Sequence, residues 1–132
     1  MIVSIILYSM IGISIELVFN AIRTTIIKKG DLSLKGSVSL WMIPIYGFGL
    51  TYGFDFIRYI SPESDPIRWL TYPLWVWGVE IMIGLPTKNK LWDYSDMKYN
   101  WRGVISFQYY PAWLLFGILI ERLRIYTDLI LL

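Results

Sequence analysis

The sequence predicts an all-α, polytopic membrane protein of four transmembrane helices, arranged as two repeated helical hairpins. Three observations predict it. Hydrophobic residues fill 56% of the 132 positions and charged residues only 17%, against about 25% charged in an ordinary soluble domain; mean hydropathy is +0.53. Four segments approach the roughly 20 apolar residues that a helix needs to cross about 30 Å of hydrocarbon. A ten-residue pattern also occurs twice. The length suits one domain, so residues 1–132 are read as a single transmembrane domain.

The first span is expected over 2–22, with one acid, Glu16. It lacks a basic start and a small-residue cleavage site, so it reads as a span and not a signal peptide. The second, over 37–57, is rich in Gly and Tyr. The third covers 69–85 and closes at Pro86, with Pro73 tolerable in its first turns. The fourth runs over 104–120 and ends at Glu121-Arg122. A polar loop, 87–103, separates the last two.

Eight of the twelve basic residues lie in the first and third loops: Arg23, Lys28, Lys29 and Lys35, then Lys88, Lys90, Lys98 and Arg102. Arg58, Arg68, Arg122 and Arg124 fall in the middle loop and the C-terminal tail. The positive-inside rule places loops 23–36 and 87–103 in the cytoplasm, with both termini outside. Trp69, Tyr72, Trp92, Tyr94, Tyr99 and Trp101 occupy positions suited to an interfacial aromatic belt.

The repeated pattern enters the second and fourth spans. Lys35-Gly36-Ser37-Val38-Ser39-Leu40-Trp41-Met42-Ile43-Pro44 matches Arg102-Gly103-Val104-Ile105-Ser106-Phe107-Gln108-Tyr109-Tyr110-Pro111 as basic, Gly, Ser, apolar and Pro at common spacing. Upstream, Glu16 and Glu80 each lie between branched aliphatic neighbours. Two helices per copy would give parallel repeats about an axis along the membrane normal. Chance likeness between two biased apolar segments is the alternative.

Intramembrane ionisable groups cost about 2.5–3.5 kcal/mol on insertion scales and default to functional-site hypotheses. Glu16 lies seven residues before Arg23, about 10 Å along a helix, and Glu80 has a similar depth. Ser9, Glu16, Asn20 and Arg23 form one stripe, which must face protein or water. Glu16, Asn20 and Glu80 are therefore candidate ion- or substrate-pathway residues. The alternative is that each acid, neutral or ion-paired, only fastens helices. Asp55 with Arg58, and Glu121 with Arg124, are expected to be ordinary i, i+3 salt bridges near helix ends, worth tenths of a kcal/mol.

In the third loop, Trp92-Asp93-Tyr94-Ser95 precedes Lys98-Tyr99-Asn100-Trp101-Arg102. Asp93 can close an Asx turn or cap a short helix; a carboxylate among aromatics can also guard a pore mouth. With no Cys and no His, disulfides, thiol nucleophiles, imidazole bases and Cys/His metal centres are excluded. An enzyme is not expected, nor a cofactor or bound metal. A formal charge of +2 is too small for a nucleic-acid partner.

The run Leu91-Trp92-Asp93-Tyr94-Ser95, with Asn100 and Arg102-Gly103 ahead of an apolar stretch, resembles the bacterial ABC-transporter type IV permease family and its vertebrate transmembrane relatives. Gly12 with Glu16-Leu17-Val18-Phe19, Leu40-Trp41 with Ile45-Tyr46-Gly47, and Glu80 with Gly84 resemble the family's other marks. Lys98 departs from the pattern, since many relatives have Pro there. The resemblance implies a four-helix polytopic membrane protein. No P-loop is present, so ATP-driven work would need a separate nucleotide-binding subunit.

The leading expectation is a small transporter, permease or channel-type component, homo-oligomeric or part of a membrane complex, with Glu16 and Glu80 in its core and the lipid bilayer as its setting. One alternative is a proton-coupled exporter similar to the small multidrug-resistance proteins. Another is a non-catalytic membrane scaffold that docks a partner through the third loop.

Overall fold

Four helical tracks make up most of the chain in a computed structural model, which describes residues 1–27, 33–61 and 64–131. The all-α class holds. Contacts divide the chain into two units, Met1–Ile57 and Arg58–Leu132. Part of the first loop, including Lys28 and Lys29, lies outside the described residues.

In the first unit, α1 (Ile2–Ile27) is 26 residues long, or about 39 Å at 1.5 Å per residue. It continues beyond the expected limit at Ile22 because no Gly or Pro interrupts the stretch through Ile27. Arg23 ends the apolar run without ending the helix, since a long side chain can carry its charge away from an apolar surface. Among the described residues, Ile2–Ile26 is the one helical segment both long and apolar enough to cross a membrane.

The second track covers 42–60 as α2 (Met42–Phe48), a π-helical turn (Gly49–Gly53) and α3 (Phe54–Ile60). It starts five residues after the expected position. The backbone turns at Leu40-Trp41, where the Met42 N–H donates to Ser39 O at 3.0 Å. Pro44 then falls in the first turn, where its missing N–H has no intrahelical partner to lose. The π turn begins and ends at glycine, Gly49 and Gly53, and buries Leu50 and Thr51. Small residues let this track and the segment leading into it approach α1 closely: a Cβ on Gly36, ahead of the track, would lie 2.6 Å from Leu17 O, and one on Gly47, within it, would lie 3.0 Å from Ile5 Cγ2.

In the second unit, α4 (Asp65–Gly84) starts before the expected residue 69. Ser64 precedes it in an extended conformation and Pro66 sits in its first turn, which marks the entry. Pro73 is correspondingly interior and fully buried, not in the first turns as expected. There it removes the N–H that would bond Trp69 O. The helix ends through left-handed Lys88 and Asn89, with φ of 53° and 58°, and the Asn89 N–H returns to Gly84 O at 3.2 Å.

Residues 104–109, expected to open the fourth span, are not α-helical. Strands β1 (Asn100–Trp101) and β2 (Ile105–Ser106) pair antiparallel, with Asn100 opposite Ser106 and Trp101 opposite Ile105. Arg102 and Gly103, with φ of 54° and 69°, turn the chain, and the Val104 N–H closes on Trp101 O at 3.0 Å. Consecutive positive φ values are the pattern of a type I′ turn. A 3-10 turn (Phe107–Tyr109) leads into α5 (Tyr110–Leu131), whose 22 residues extend well past the expected end at 120.

Candidate functional site

The polar stripe of α1 faces the second track. Ser9 Oγ donates to its own helix at Ile5 O (2.8 Å) and across to Ile43 O (2.9 Å). Asn20 Nδ2 donates to Ser37 O at 2.8 Å, so it fastens the chain that enters α2. Between them, Glu16 receives a side-chain hydrogen bond from Tyr46. Its second oxygen, Oε2, is buried with no hydrogen-bond partner among the described residues. Gly12, one turn earlier, makes room for the tyrosine: a Cβ there would lie 2.6 Å from both Cβ and Cδ1 of Tyr46.

In the second unit, Glu80 is 7% exposed on α4 and accepts from the Tyr94 hydroxyl at 2.9 Å. The Tyr94 ring meets Tyr109 edge-on at 5.5 Å. Trp77, one turn before Glu80, meets Phe107 edge-on at 5.4 Å and Tyr110 at 5.8 Å. One turn after it, Gly84 admits Val104 and Trp92, which a Cβ would meet at 2.8 and 3.3 Å. Val104 is thus opposite Gly84 and Phe107 opposite Trp77. Residues 104–107 consequently run along the face that carries Glu80. Within that run Ser106 is wholly buried, and its hydroxyl has no partner among the described residues.

The Trp92-Asp93-Tyr94-Ser95 segment is an internally bonded clip. Asp93 Oδ1 accepts from the Ser95 N–H (2.9 Å) and Oγ (2.5 Å), which closes an Asx turn. Trp92 Nε1 donates to Val104 O at 2.9 Å, the Tyr94 N–H to Gly103 O at 2.8 Å and Asn89 Nδ2 to Arg102 O at 2.8 Å. Asn100 Oδ1 receives the Gly103 N–H at 2.8 Å. Gly103 is required twice: its φ is +69°, and a Cβ would lie 2.5 Å from both Asp93 Oδ1 and Ser95 Oγ.

Glu121 departs most from expectation. Because α5 continues to Leu131, Glu121 lies mid-helix and is 2% exposed, not at a helix end beside Arg124. It accepts from Arg68, from Trp69 Nε1 at 2.8 Å and from the Tyr72 hydroxyl at 2.8 Å. Arg68 also reaches Asp65 at 2.5 Å. Arg124, itself buried, meets Asp128 at 3.3 Å, one turn further along. Asp55 and Arg58 occupy exposed positions on α3.

The expected aromatic belt also divides. Tyr72, Trp92 and Tyr94 turn inward to Glu121, Val104 O and Glu80, and Trp69 donates to Glu121. Tyr99 and Trp101 remain exposed at 55% and 38%. Sequence reasoning missed Tyr46, Tyr72 and Arg68 as partners of acids. A signal was present: Gly12 precedes Glu16 by four residues, and Gly117 precedes Glu121 by four. In both cases the glycine admits a tyrosine ring whose side chain bonds the carboxylate one turn on, Tyr72 lying 2.6 Å from a Cβ built at Gly117.

Two helical pairs, each closed by a tyrosine that bonds a glutamate, make up an all-α chain in which, among the described residues, one helix is long and apolar enough to cross a membrane. The chain belongs to the family described as Putative ABC-transporter type IV, whose model matches residues 3–128. No solved structure matches the chain.

Proposed function

We propose that this protein is a small multi-pass membrane component of a transport system, with Glu16 and Glu80 each a polar point for an ion or proton within its own helical unit. The observation that carries the reading is Glu16. It lies on the segment best suited to cross a membrane, and one of its carboxylate oxygens is buried without a partner among the described residues. Intramembrane acids characteristically mark pathways, and a buried polar atom with no partner calls for a functional explanation. Family membership supports the transport setting.

On this reading 42–60, α4 and α5 also span. Their lengths of 19 to 22 residues correspond to about 28–33 Å. Loops 23–36 and 87–103 face the cytoplasm, the protein acts as an oligomer or within a membrane complex, and ATP-driven work uses a separate nucleotide-binding subunit. The chain performs no chemistry of its own. The scaffold reading has one observation in its favour: Glu121 is fully engaged by three donors, as a helix fastener would be.

The test is proton and cation flux into liposomes that hold the purified protein, its Glu16→Gln and Glu80→Gln variants, and the double variant. Flux that falls to the level of empty liposomes on neutralising either acid is the expected result. No flux from well-folded wild-type protein would overturn the autonomous pathway and favour the scaffold.

A further inference from the structure

We propose that the 88–102 clip is a binding surface for anionic phospholipid headgroups. Its inner bonds to Val104 O, Gly103 O and Glu80 hold Trp92 and Tyr94 inward. Lys88, Lys90, Lys98, Tyr99, Trp101 and Arg102 are left exposed. The Asn89-to-Arg102 bond (2.8 Å) draws the two lysines that flank Asn89 up to the hairpin turn. Lys98 Nζ lies 5.2 Å from the Tyr99 ring and the Arg102 guanidinium 4.9 Å from the Trp101 ring. Each outward aromatic therefore carries a cation on its face.

Two carboxylates oppose the four cations. Asp93 is occupied by Ser95, and Asp96 is exposed on the same clip. The balance remains positive. Charge complementarity selects an anionic partner, and exposed Trp and Tyr beside Lys and Arg select a bilayer surface, where amphipathic rings sit at headgroup level. Basic residues next to an anionic leaflet are attracted within about a Debye length. The clip joins the C-terminal end of α4 to the approach to α5, which is the headgroup zone if those helices span. In that respect the proposal rests on the membrane reading above. The fixed geometry means that little conformational freedom is lost on binding.

Full-length protein in mild detergent is titrated with phosphatidylglycerol or phosphatidylcholine at equal concentrations, with inorganic phosphate as a further arm, and bound adducts are counted by native mass spectrometry. Phosphatidylglycerol should exceed phosphatidylcholine by about fivefold or more. Raising the salt concentration, or the combined substitution Lys88→Gln, Lys90→Gln, Lys98→Gln and Arg102→Gln, should abolish that excess. Arg58→Gln with Arg122→Gln should leave it intact.

Equal binding of the two lipids overturns the proposal, as does an excess that survives both the combined substitution and high salt. Phosphate that competes as well as the lipid at equal concentration also overturns it, by assigning the site to the free anion. If the combined variant does not fold, the salt response of the wild type decides. Flotation with phosphatidylcholine vesicles tests the membrane reading separately: protein that floats but shows no lipid preference refutes only the clip proposal.

Discussion

The Tyr94 hydroxyl lies 2.9 Å from Glu80 Oε1, so a residue of the connecting loop supplies a donor to a carboxylate on the buried side of α4. This bond anchors the clip. Tyr94→Phe keeps the ring against Tyr109 and removes only the donor. It is expected to lower stability by about 1–3 kcal/mol, because the Glu80 acceptor remains buried. The double variant, Tyr94→Phe with Glu80→Gln, should cost less than the sum of the two single changes. Unfolding in a denaturing detergent series measures both; strict additivity would mean the two groups do not interact.

Glu121 holds Arg68, Trp69 and Tyr72 at once. Glu121→Ala should destabilise by about 3–5 kcal/mol, the range for breaking a buried ion pair from one side. Asp65→Asn alters a group that is half exposed, and should change stability by less than about 1 kcal/mol. Comparable losses for the two variants would contradict the burial of Glu121.

Gly117 and Gly78 lie on helices of the same unit in opposite surroundings. A Cβ at Gly117 would lie 2.6–2.8 Å from three atoms of Tyr72, whereas one at Gly78 meets nothing within 4 Å. Gly117→Ala should destabilise by about 1–3 kcal/mol through forced displacement of the ring. Gly78→Ala should be neutral or stabilising by up to about 1 kcal/mol from helix propensity. Thermal unfolding of the two variants in one detergent makes the comparison.

Gly103→Ala imposes a left-handed backbone on a residue with a Cβ, which costs about 1–2 kcal/mol, and crowds Asp93 and Ser95. The hairpin should open while the helices persist. Limited proteolysis is expected to cut within 88–102 faster in the variant than in the wild type, with unchanged far-ultraviolet circular dichroism. Equal cleavage rates would show that the turn tolerates the methyl group.

The all-α class and four helical tracks were legible from apolar run length, because a helix that must satisfy its own backbone needs little else to be recognised. The Asx turn at Asp93 was equally readable from an Asp two residues before Ser95. Helix starts were misread twice for one reason. The basic-Gly entries at Lys35 and Arg102 are apolar enough to extend a span on paper, but Pro44 and Pro111 belong to first turns and place the true starts at Met42 and Tyr110. The role of Glu121 was hidden because an acid beside arginines looks like a boundary. Only the continuation of α5 through Tyr126 to Leu131 puts it mid-helix. The inward turn of Trp92 and Tyr94 had no local signal, since both acceptors lie on other elements.

The paired glycine and glutamate, four residues apart with a tyrosine laid across them, have a consequence for how the chain tolerates change. Between apolar helices in lipid, sliding or rotating one helix exchanges one oily contact for another with little penalty. A ring seated on Gly12 or Gly117 whose hydroxyl must also meet Glu16 or Glu121 has one permitted alignment. Three positions per hairpin therefore encode helix register, and the exposed aliphatic residues are released from that task. Their identities can drift among Ile, Leu and Val while the helix pairs keep the same alignment.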